Sequence, residues 1–108
     1  MNEKFEHVNL LLPFYGKLLS ERQLEILKYY YYEDLSLSEI AENLSISRNG
    51  VYDAVRKGEK ALEDLEEKLH LYADYQKRLE QYRLILSYNN SEINEIVEKL
   101  IKEEESYE

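Results

Sequence analysis

The sequence predicts an all-α protein in which a helix-turn-helix is followed by a long helix and a C-terminal amphipathic helix. Apolar residues recur at spacings of three and four, no stretch alternates as a strand would, and two segments match the Ser-x-x-Glu/Gln capping box that begins helices. With 108 residues, three Gly, one Pro and no Cys, the chain has the length of one domain and matches neither collagen-like nor disulfide-stapled proteins. A single domain, residues 1–108, is therefore expected.

Three helical pieces are expected before the helix-turn-helix. Apolar residues at helical spacing over residues 5–12 predict a first helix, and Pro13 should end or kink it. The apolar pattern continues over residues 14–19, which predicts a short second piece. The capping box at residues 20–23 then begins a third helix, which should end before Asp34.

The tyrosine run at residues 29–32 lies within this third helix. Aromatic rings can stack on bases, so a stacking surface is one interpretation. Four consecutive helical residues point in four directions, however, and a single platform cannot include them all. We expect Tyr30 and Tyr31 in the core and the other two tyrosines half-exposed.

The next two helices have the outline of a helix-turn-helix. A second capping box, beginning at Ser36, opens a short helix over residues 37–44, and Ser47 is placed to cap the helix after the turn. Ala41 is small where the helices would cross. Ser45 occupies a turn position where φ > 0 and Gly is usual, which predicts a slightly different turn. The expected shared core is Ile40, Leu44, Ile46, Val51 and Ala54.

The second half of the chain predicts one long helix and one short one. Nothing clearly stops the helix that Ser47 begins, so it is expected to continue over residues 61–86. An apolar seam with two polar breaks runs from Val55 to Leu86 at alternating three- and four-residue spacing. A turn signal at residues 89–90 precedes a last amphipathic helix over residues 91–104. The helix-turn-helix portion then covers residues 5–60. A chain of this size would leave the seam partly uncovered, so a homodimer is expected.

The helix that Ser47 begins carries polar residues suited to a polynucleotide. Arg48 and Asn49 are candidates for bidentate contacts to base edges, and three basic residues farther along are candidates to neutralise phosphates. The complete candidate surface is Ser47, Arg48, Asn49, Tyr52, Arg56, Lys57 and Lys60. Residues 47–60 carry four basic residues against Asp53 and Glu59, net +2. This modest balance leaves open that the motif is only a packing unit with solvated charges.

Charge is distributed unevenly along the chain. Fourteen Lys and Arg against 23 Asp and Glu give a net charge of −9, which argues against broad adhesion to nucleic acids or acidic membranes. Residues 1–60 hold eight basic and ten acidic residues, net −2, whereas residues 61–108 hold six and thirteen, net −7. A nucleic-acid surface is therefore expected in the first 60 residues. The acidic half, with Glu63, Glu66 and Glu67, is the alternative functional surface, suited to a basic protein partner.

Catalysis, cofactors and membranes have little support in the sequence. Cys is absent, and His7 and His70 lie far apart without ligand-spaced partners, so neither a zinc site nor a thiol nucleophile is predicted. No Gly-rich phosphate loop occurs, and a non-enzymatic protein without a cofactor is expected. The chain has neither a long apolar run nor a basic-then-apolar leader, which indicates a cytoplasmic protein that does not contact membranes.

Several of these residues resemble known families. The strings Leu-Ser-Glu-Arg-Gln at residues 19–23, Ile-Ala-Glu at residues 40–42 and Ile-Ser at residues 46–47 are similar to the fourth region of sigma factors. A narrower likeness, over roughly residues 5–87, is to the YlxM family of small helix-turn-helix proteins. Its most specific parts are Ser47-Arg48, Val51-Tyr52-Asp53, Glu59-Lys60 and Lys68-Leu69-His70-Leu71-Tyr72. Asn49 and Gly50 depart from the Gln-Ala expected there.

The resemblance implies a cytoplasmic bacterial protein that is usually encoded beside the genes of the signal recognition particle and is proposed to assist or regulate that pathway. Similarity to sigma factors implies duplex DNA as a ligand, whereas the gene neighbours imply the particle's RNA or its GTPase. Three hypotheses follow. The chain is a nucleic-acid-binding regulator of that pathway, with RNA favoured over DNA; an adaptor that docks on the particle's GTPase through its acidic helix; or a DNA-binding transcriptional regulator.

Overall fold

The computed structural model describes residues 3–105, which form six α-helices. They are α1 (Glu3–Tyr15), α2 (Glu21–Tyr31), α3 (Leu37–Leu44), α4 (Arg48–Leu69), α5 (Leu71–Leu86) and α6 (Ser91–Glu105), with a 3-10 turn at Gly16–Leu18 after α1. No strand occurs in residues 3–105. The predicted all-α fold class is confirmed, and α3 has the bounds that the sequence predicts.

Pro13 lies inside α1, where the sequence predicted a stop or a kink. The helix continues to Tyr15, so Pro13 does not end it, although Pro13 has no N–H to donate to the backbone ladder. The predicted second piece is the 3-10 turn, in which Gly16 is buried. A Cβ on Gly16 would lie 3.0 Å from Leu24 Cδ1, so the end of α1 and the start of α2 pack closely.

Helices α1 to α4 enclose the main hydrophobic core. Its buried members are Val8, Leu11, Leu12, Tyr15, Ile26, Leu27, Tyr31, Ile40, Ala41, Val51, Val55 and Leu62. The Tyr31 ring lies 4.9 Å from the Phe5 ring, centroid to centroid. Tyr30, which was also expected in the core, is only half-buried. Consecutive helical residues differ by about 100° in direction, so one of the two tyrosines points inward and the other lies at the edge.

Helices α2 and α4 approach most closely at Gly58. A Cβ on Gly58 would lie 2.7 Å from Leu27 Cδ1 and 3.1 Å from Leu27 Cγ, and Leu27 is fully buried. Beside this contact the Tyr31 hydroxyl donates a hydrogen bond to the carboxylate of Glu59, which is 7% exposed. Burial and this hydrogen bond raise the pKa of Tyr31, so its hydroxyl remains a donor to the buried carboxylate.

The prediction of a continuous helix over residues 61–86 is wrong, because the chain breaks at His70 between α4 and α5. His70 has φ 56° and ψ 27°, the left-handed conformation, and its N–H donates to the carbonyl of Glu66. The Glu66 carboxylate and the Tyr15 hydroxyl accept the backbone N–H groups at the start of α5. The new helix is therefore capped by Glu66, from the preceding turn of α4, and by Tyr15, which is distant in sequence.

A short turn joins α5 to α6, as the sequence predicted. Asn89 has φ 57°, and Asn90 Oδ1 accepts a hydrogen bond of 3.0 Å from the Ile93 N–H. Asparagine tolerates the left-handed conformation and caps helix N-termini well, which explains why two asparagines occur here. The final helix, predicted over residues 91–104, occupies Ser91–Glu105.

Helices α5 and α6 form an antiparallel hairpin that extends away from the main core. Leu79 and Val97 are its buried apolar residues, and the Arg78 guanidinium donates hydrogen bonds of 2.6 and 3.1 Å to the Glu104 carboxylate. Helix α6 packs chiefly against α5. The molecule is accordingly elongated, with dimensions of 56 × 25 × 25 Å.

Part of the predicted apolar seam is buried by the chain itself. Val55, Gly58 and Leu62 are buried against the other helices of the main core, and Leu79 is buried in the hairpin. The break at His70 lets the two halves of the seam pack on different helices, and Leu69 beside the break stays 47% exposed. The homodimer remains a prediction.

Candidate nucleic-acid interface

Helix α3 begins with the capping box that the sequence predicts. The Glu39 N–H donates to Ser36 Oγ at 3.1 Å, and the Ser36 N–H donates to Glu39 Oε1 at 2.9 Å. The hydrogen bond from the Ser36 backbone lowers the pKa of Glu39. Helix α2 shows the serine half of its predicted box, in which the Gln23 N–H donates to Ser20 Oγ at 3.1 Å.

The turn between α3 and α4 has the left-handed residue that such turns require. Ser45 adopts φ 56° and ψ 43°, and the N–H of Ile46 donates to the Ala41 carbonyl at 3.1 Å. These are features of a Schellman motif. The expectation of a different turn is wrong, because serine itself takes the conformation that usually favours glycine, at a cost of about 1 kcal/mol.

One predicted member of the shared core lies outside it. Ile46 is 37% exposed, whereas Ile40 and Val51 are fully buried and Ala41 is nearly so. Leu44 and Ala54 are half-buried. Ile46 follows the left-handed residue directly, and the reversal of the chain there leaves its side chain at the edge of the motif.

Ser47 caps α4 as predicted. Its backbone is extended, and its Oγ accepts a hydrogen bond of 2.9 Å from the Gly50 N–H. No acidic residue lies in the first turn of α4, so this helix end keeps the partial positive charge of its backbone dipoles. The Ser47 hydroxyl is used as an acceptor within the helix and still has its proton to donate.

The candidate contact residues of α4 lie on the side opposite the core. At about 100° per residue, Asn49, Tyr52, Arg56 and Lys60 follow at spacings of three and four and share one row on this helix. The predicted contact residues are all exposed, and so is the acidic residue between them: Ser47, Arg48, Asn49, Tyr52, Asp53, Arg56, Lys57 and Lys60. The fold therefore gathers the candidate nucleic-acid residues on one accessible face.

Tyr52 and Arg56 form a pair within this row. The Arg56 guanidinium carbon lies 5.9 Å from the centroid of the Tyr52 ring, and Arg56 Nη1 lies 3.4 Å from Tyr52 Oη. Tyr52 is 46% exposed, so its ring is accessible beside the cation. The sequence interpretation missed this pairing, although the four-residue spacing was a signal for it.

Charge changes sign along α4. Residues 48–60 have four basic and two acidic residues, net +2, whereas residues 61–69 have one basic and four acidic residues, net −3. Lys60, at the boundary, lies 3.7 Å from Asp64, Nζ to Oδ2, in an exposed ion pair. The basic part is about 20 Å long. A polyanion can therefore contact the first three to four turns of α4 but would be repelled by the last two.

The three acidic candidates do not form one surface. Glu63 and Glu67 are exposed, but Glu66 is partly buried at the junction of α4 and α5. Its carboxylate accepts hydrogen bonds from Tyr15 Oη at 2.5 Å and from the N–H groups of Tyr72 and Ala73 at 3.0 Å each. Glu66 therefore holds the start of α5, and it is not available to an external partner.

Hydrogen bonding sets the protonation of this junction. Partial burial disfavours the Glu66 carboxylate, but the hydrogen bonds from Tyr15, Tyr72 and Ala73 outweigh it, and the pKa of Glu66 lies below its usual value. Burial and the Glu66 carboxylate raise the pKa of Tyr15 to about 12. At neutral pH the junction thus contains a charged acceptor and a protonated donor.

The described part of the chain offers no metal site or membrane span. Over residues 3–105, no group of three or more His, Cys, Asp or Glu side chains is placed to hold a metal ion. In the same range, no helix combines the length and the apolarity that crossing a bilayer requires.

Comparisons with known proteins also indicate a helix-turn-helix protein. The profile of the family UPF0122, described as "Putative helix-turn-helix protein, YlxM / p13 like", matches residues 2–105. A UPF0122 protein of Streptococcus mutans serotype c is 45% identical over 84 residues, which cover 78% of this chain and 76% of the relative. A UPF0122 protein of Streptococcus suis is also 45% identical, over 85 residues that cover 79% of this chain and 75% of the relative.

Proposed function

The chain belongs to the UPF0122 family of YlxM/p13-like helix-turn-helix proteins, and from this we propose that it is a non-enzymatic, cytoplasmic regulator that binds nucleic acid through the first half of α4. The observation that carries the proposal is the accessible row of polar and basic residues on a helix whose opposite side is buried. In this arrangement Arg48 and Asn49 contact base edges, and Arg56, Lys57 and Lys60 contact phosphates.

The charge distribution along α4 supports an end-on approach. A helix-turn-helix places the N-terminal residues of its second helix against bases in the major groove, which is about 12 Å wide. The basic part of α4, about 20 Å long, is sufficient for this contact. The acidic last turns would then lie beyond the groove, where they do not oppose the phosphates.

The proposal leaves two ligands to be compared, duplex DNA and RNA. The shape of the motif favours duplex DNA, because the deep, narrow major groove of an A-form helix does not admit an α-helix. RNA would be contacted at loops, bulges or phosphates, and the RNA of the signal recognition particle is the ligand that the YlxM resemblance suggests. Participation in that particle's pathway is part of this proposal.

The first experiment measures binding to two labelled probes, a random-sequence DNA duplex and an RNA hairpin with an unpaired loop. Fluorescence anisotropy from about 50 to about 200 mM salt should show affinity that falls with salt, because bound phosphates release counterions. The double variant Arg56→Glu with Lys60→Glu should lose binding to the preferred probe by more than tenfold. Its far-UV circular dichroism should equal that of the wild type.

A matched control makes this experiment specific. Lys77→Glu with Arg83→Glu makes the same change of charge in one lysine and one arginine, both exposed and both on α5. We expect this control to bind almost as tightly as the wild type. Equal losses in the two double variants would mean that only net charge matters, and wild-type affinity in the α4 variant would overturn the proposed interface.

The connection to the signal recognition particle needs a separate experiment. Tagged protein purified from its own cells at low salt should carry RNA or DNA that raised salt removes, and sequencing identifies the species. The particle's RNA in this fraction would support the pathway proposal. DNA fragments enriched in one sequence would support a transcriptional regulator instead.

A protein adaptor is the second candidate function, favoured by the acidic last turns of α4. Glu63 and Glu67 are exposed there and suit a basic partner such as the particle's GTPase. The variant Glu63→Lys with Glu67→Lys should weaken binding of that GTPase and spare binding of nucleic acid. Glu66 is left unchanged because it holds the start of α5. Unchanged GTPase affinity would exclude this surface.

A further inference from the structure

Tyr52 is an aromatic residue that takes no part in the hydrophobic core. Other rings pack on one another, as those of Phe5 and Tyr31 do with their centroids 4.9 Å apart. Tyr52 lies on the exposed side of α4, is 46% exposed and packs on no other aromatic ring within residues 3–105. Its ring therefore has accessible apolar surface that folding does not use.

The Arg56 guanidinium lies beside the hydroxyl end of this ring. Its Nη1 is 3.4 Å from Tyr52 Oη, and its central carbon is 5.9 Å from the ring centroid. A guanidinium stacked flat on the ring would lie about 4 Å from it. The longer distance shows that Arg56 is not stacked on the middle of either face of the ring, so this cation does not occupy the place that a base would take.

The neighbours of Tyr52 in the exposed row of α4 suit the other parts of a nucleotide. Asn49 lies about 4.5 Å before Tyr52 along the helix axis, and Arg56 lies about 6 Å after it. Both are exposed. A base on the Tyr52 ring would have the Asn49 amide near its edge and Arg56 near its phosphate. An aromatic face, an amide and a cation together are typical of sites for unpaired nucleotides.

We propose that Tyr52 stacks on an unpaired base, and that α4 therefore prefers nucleic acids with unpaired bases to a continuous duplex. This inference rests on the proposed function, because it names the class of ligand that the same face binds. Bases in a duplex are stacked on their neighbours and present only their edges in the grooves. An aromatic side chain can stack only on a base that lies outside the double helix, as in a hairpin loop of RNA or DNA.

The weak positive charge of α4 also favours an unpaired ligand. Residues 48–60 carry a net charge of +2. A duplex carries one negative charge per about 1.7 Å of its axis, twice the density of either strand alone. This part of α4 compensates only a few phosphates, so most of the affinity has to come from contacts that do not depend on charge. Stacking on Tyr52 is such a contact.

The first test compares three probes with the wild-type chain by fluorescence anisotropy at about 100 mM salt. They are an RNA hairpin with unpaired adenosines in its loop, the same hairpin with abasic nucleotides there, and an RNA duplex of the stem alone. Adenosine is chosen because an asparagine amide pairs well with its edge. We expect the intact loop to bind at least tenfold more tightly than the other two probes. The DNA hairpin of the same sequence, with its own abasic form, shows whether the ligand is RNA or DNA.

Variants of Tyr52 test the ring itself. Tyr52→Leu should bind the intact loop at least tenfold more weakly and should lose little on the abasic loop, because the ring and the loop bases act together. Tyr52→Phe restores the ring without the hydroxyl and should recover most of the lost affinity. The matched control is Tyr88→Leu, the same change at a tyrosine that is 76% exposed after the end of α5, and it should bind as the wild type does.

The outcomes separate this inference from the proposed function. Wild-type affinity in Tyr52→Leu, with binding lost in Arg56→Glu with Lys60→Glu, would overturn the stacking role and leave the proposed interface intact. Equal affinity of the wild type for the intact and the abasic loops of both hairpins would overturn it without any variant. A loss in Tyr52→Phe as large as in Tyr52→Leu would assign the contact to the hydroxyl and overturn it too. A wild type that binds none of the probes would overturn both proposals.

Discussion

Replacing Glu66 by alanine should destabilise the protein far more than replacing its exposed neighbour Glu67. Three donors converge on this carboxylate: the Tyr15 hydroxyl and the backbone N–H groups of Tyr72 and Ala73. Tyr15 is fully buried, so its hydroxyl would lose this acceptor in a place that water reaches poorly. The start of α5 would lose the group that caps it.

The loss of unfolding free energy in Glu66→Ala follows from these contacts. A hydrogen bond contributes a net of about 1 kcal/mol, with more when the acceptor is charged, and loss of a helix N-cap costs about 0.5–2 kcal/mol. Tyr72 and Ala73 are only partly buried, so water will replace some of the hydrogen bonding that their backbone N–H groups lose. We therefore expect the free energy of unfolding to fall by about 2–3 kcal/mol, a large part of the 5–15 kcal/mol that is typical of a domain.

The assay is urea denaturation followed by far-UV circular dichroism, with Glu67→Ala as the matched control. Glu67 is the next residue on the same helix and is exposed, so its removal should change the unfolding free energy by less than about 0.5 kcal/mol. Hydrogen exchange at the Tyr72 and Ala73 amides should accelerate in Glu66→Ala alone. Equal stabilities for the two variants would refute the role assigned to Glu66.

Three further predictions concern the same fold. Gly58→Ala should lower the unfolding free energy by about 1–2 kcal/mol despite the better helix propensity of alanine, because the new Cβ meets the buried Leu27 side chain. The control Gly50→Ala places its Cβ near an exposed serine hydroxyl and should change the unfolding free energy by less than about 0.5 kcal/mol in the same urea titration. Ser45→Gly should raise the melting temperature by a few degrees, since glycine relieves the left-handed strain; a decrease would contradict the assignment of that strain. The pKa of Glu66 is lower in the folded than in the unfolded protein, so its stabilising effect is present above the unfolded pKa near 4.5 and is lost as the pH falls through the folded pKa. The difference in unfolding free energy between wild type and Glu66→Gln should therefore shrink from pH 7 to about pH 3. A difference independent of pH would count against this mechanism.

Local signals in the sequence were sufficient for the helix-turn-helix. Ser36 and Ser47 cap α3 and α4 in the structure, because a capping serine acts on a backbone group only three residues away. The left-handed turn at Ser45 was less predictable. Serine carries no strong preference for that conformation, and the packing of two helices on one core imposes it.

The spacing of apolar residues could not predict contacts between residues that come together only in the folded chain. The break at His70 depends on Tyr15, at the end of α1, and on Glu66, one turn earlier in α4. Apolar spacing continues across the break without interruption. The same spacing suggested one long seam for dimerisation. In the structure the chain folds back, and its own helices bury part of that seam.

The exposure of the candidate interface residues could be predicted from the sequence, but their contacts with one another could not. A helix whose inward stripe is known leaves the remaining side chains exposed, so Arg48, Asn49 and Arg56 could be selected from the sequence alone. The ring of Tyr52 beside Arg56 and the different surroundings of Glu66 and Glu67 depend on side-chain geometry. Sequence spacing limits such contacts but does not fix them.

His70, in the left-handed conformation, is also the single residue that joins helices α4 and α5. Helix α5 has 16 residues and is about 24 Å long, so a rotation of about 10° at this joint would move its far end by about 4 Å. The two backbone torsions of His70 therefore set the direction in which the α5–α6 hairpin projects from α4.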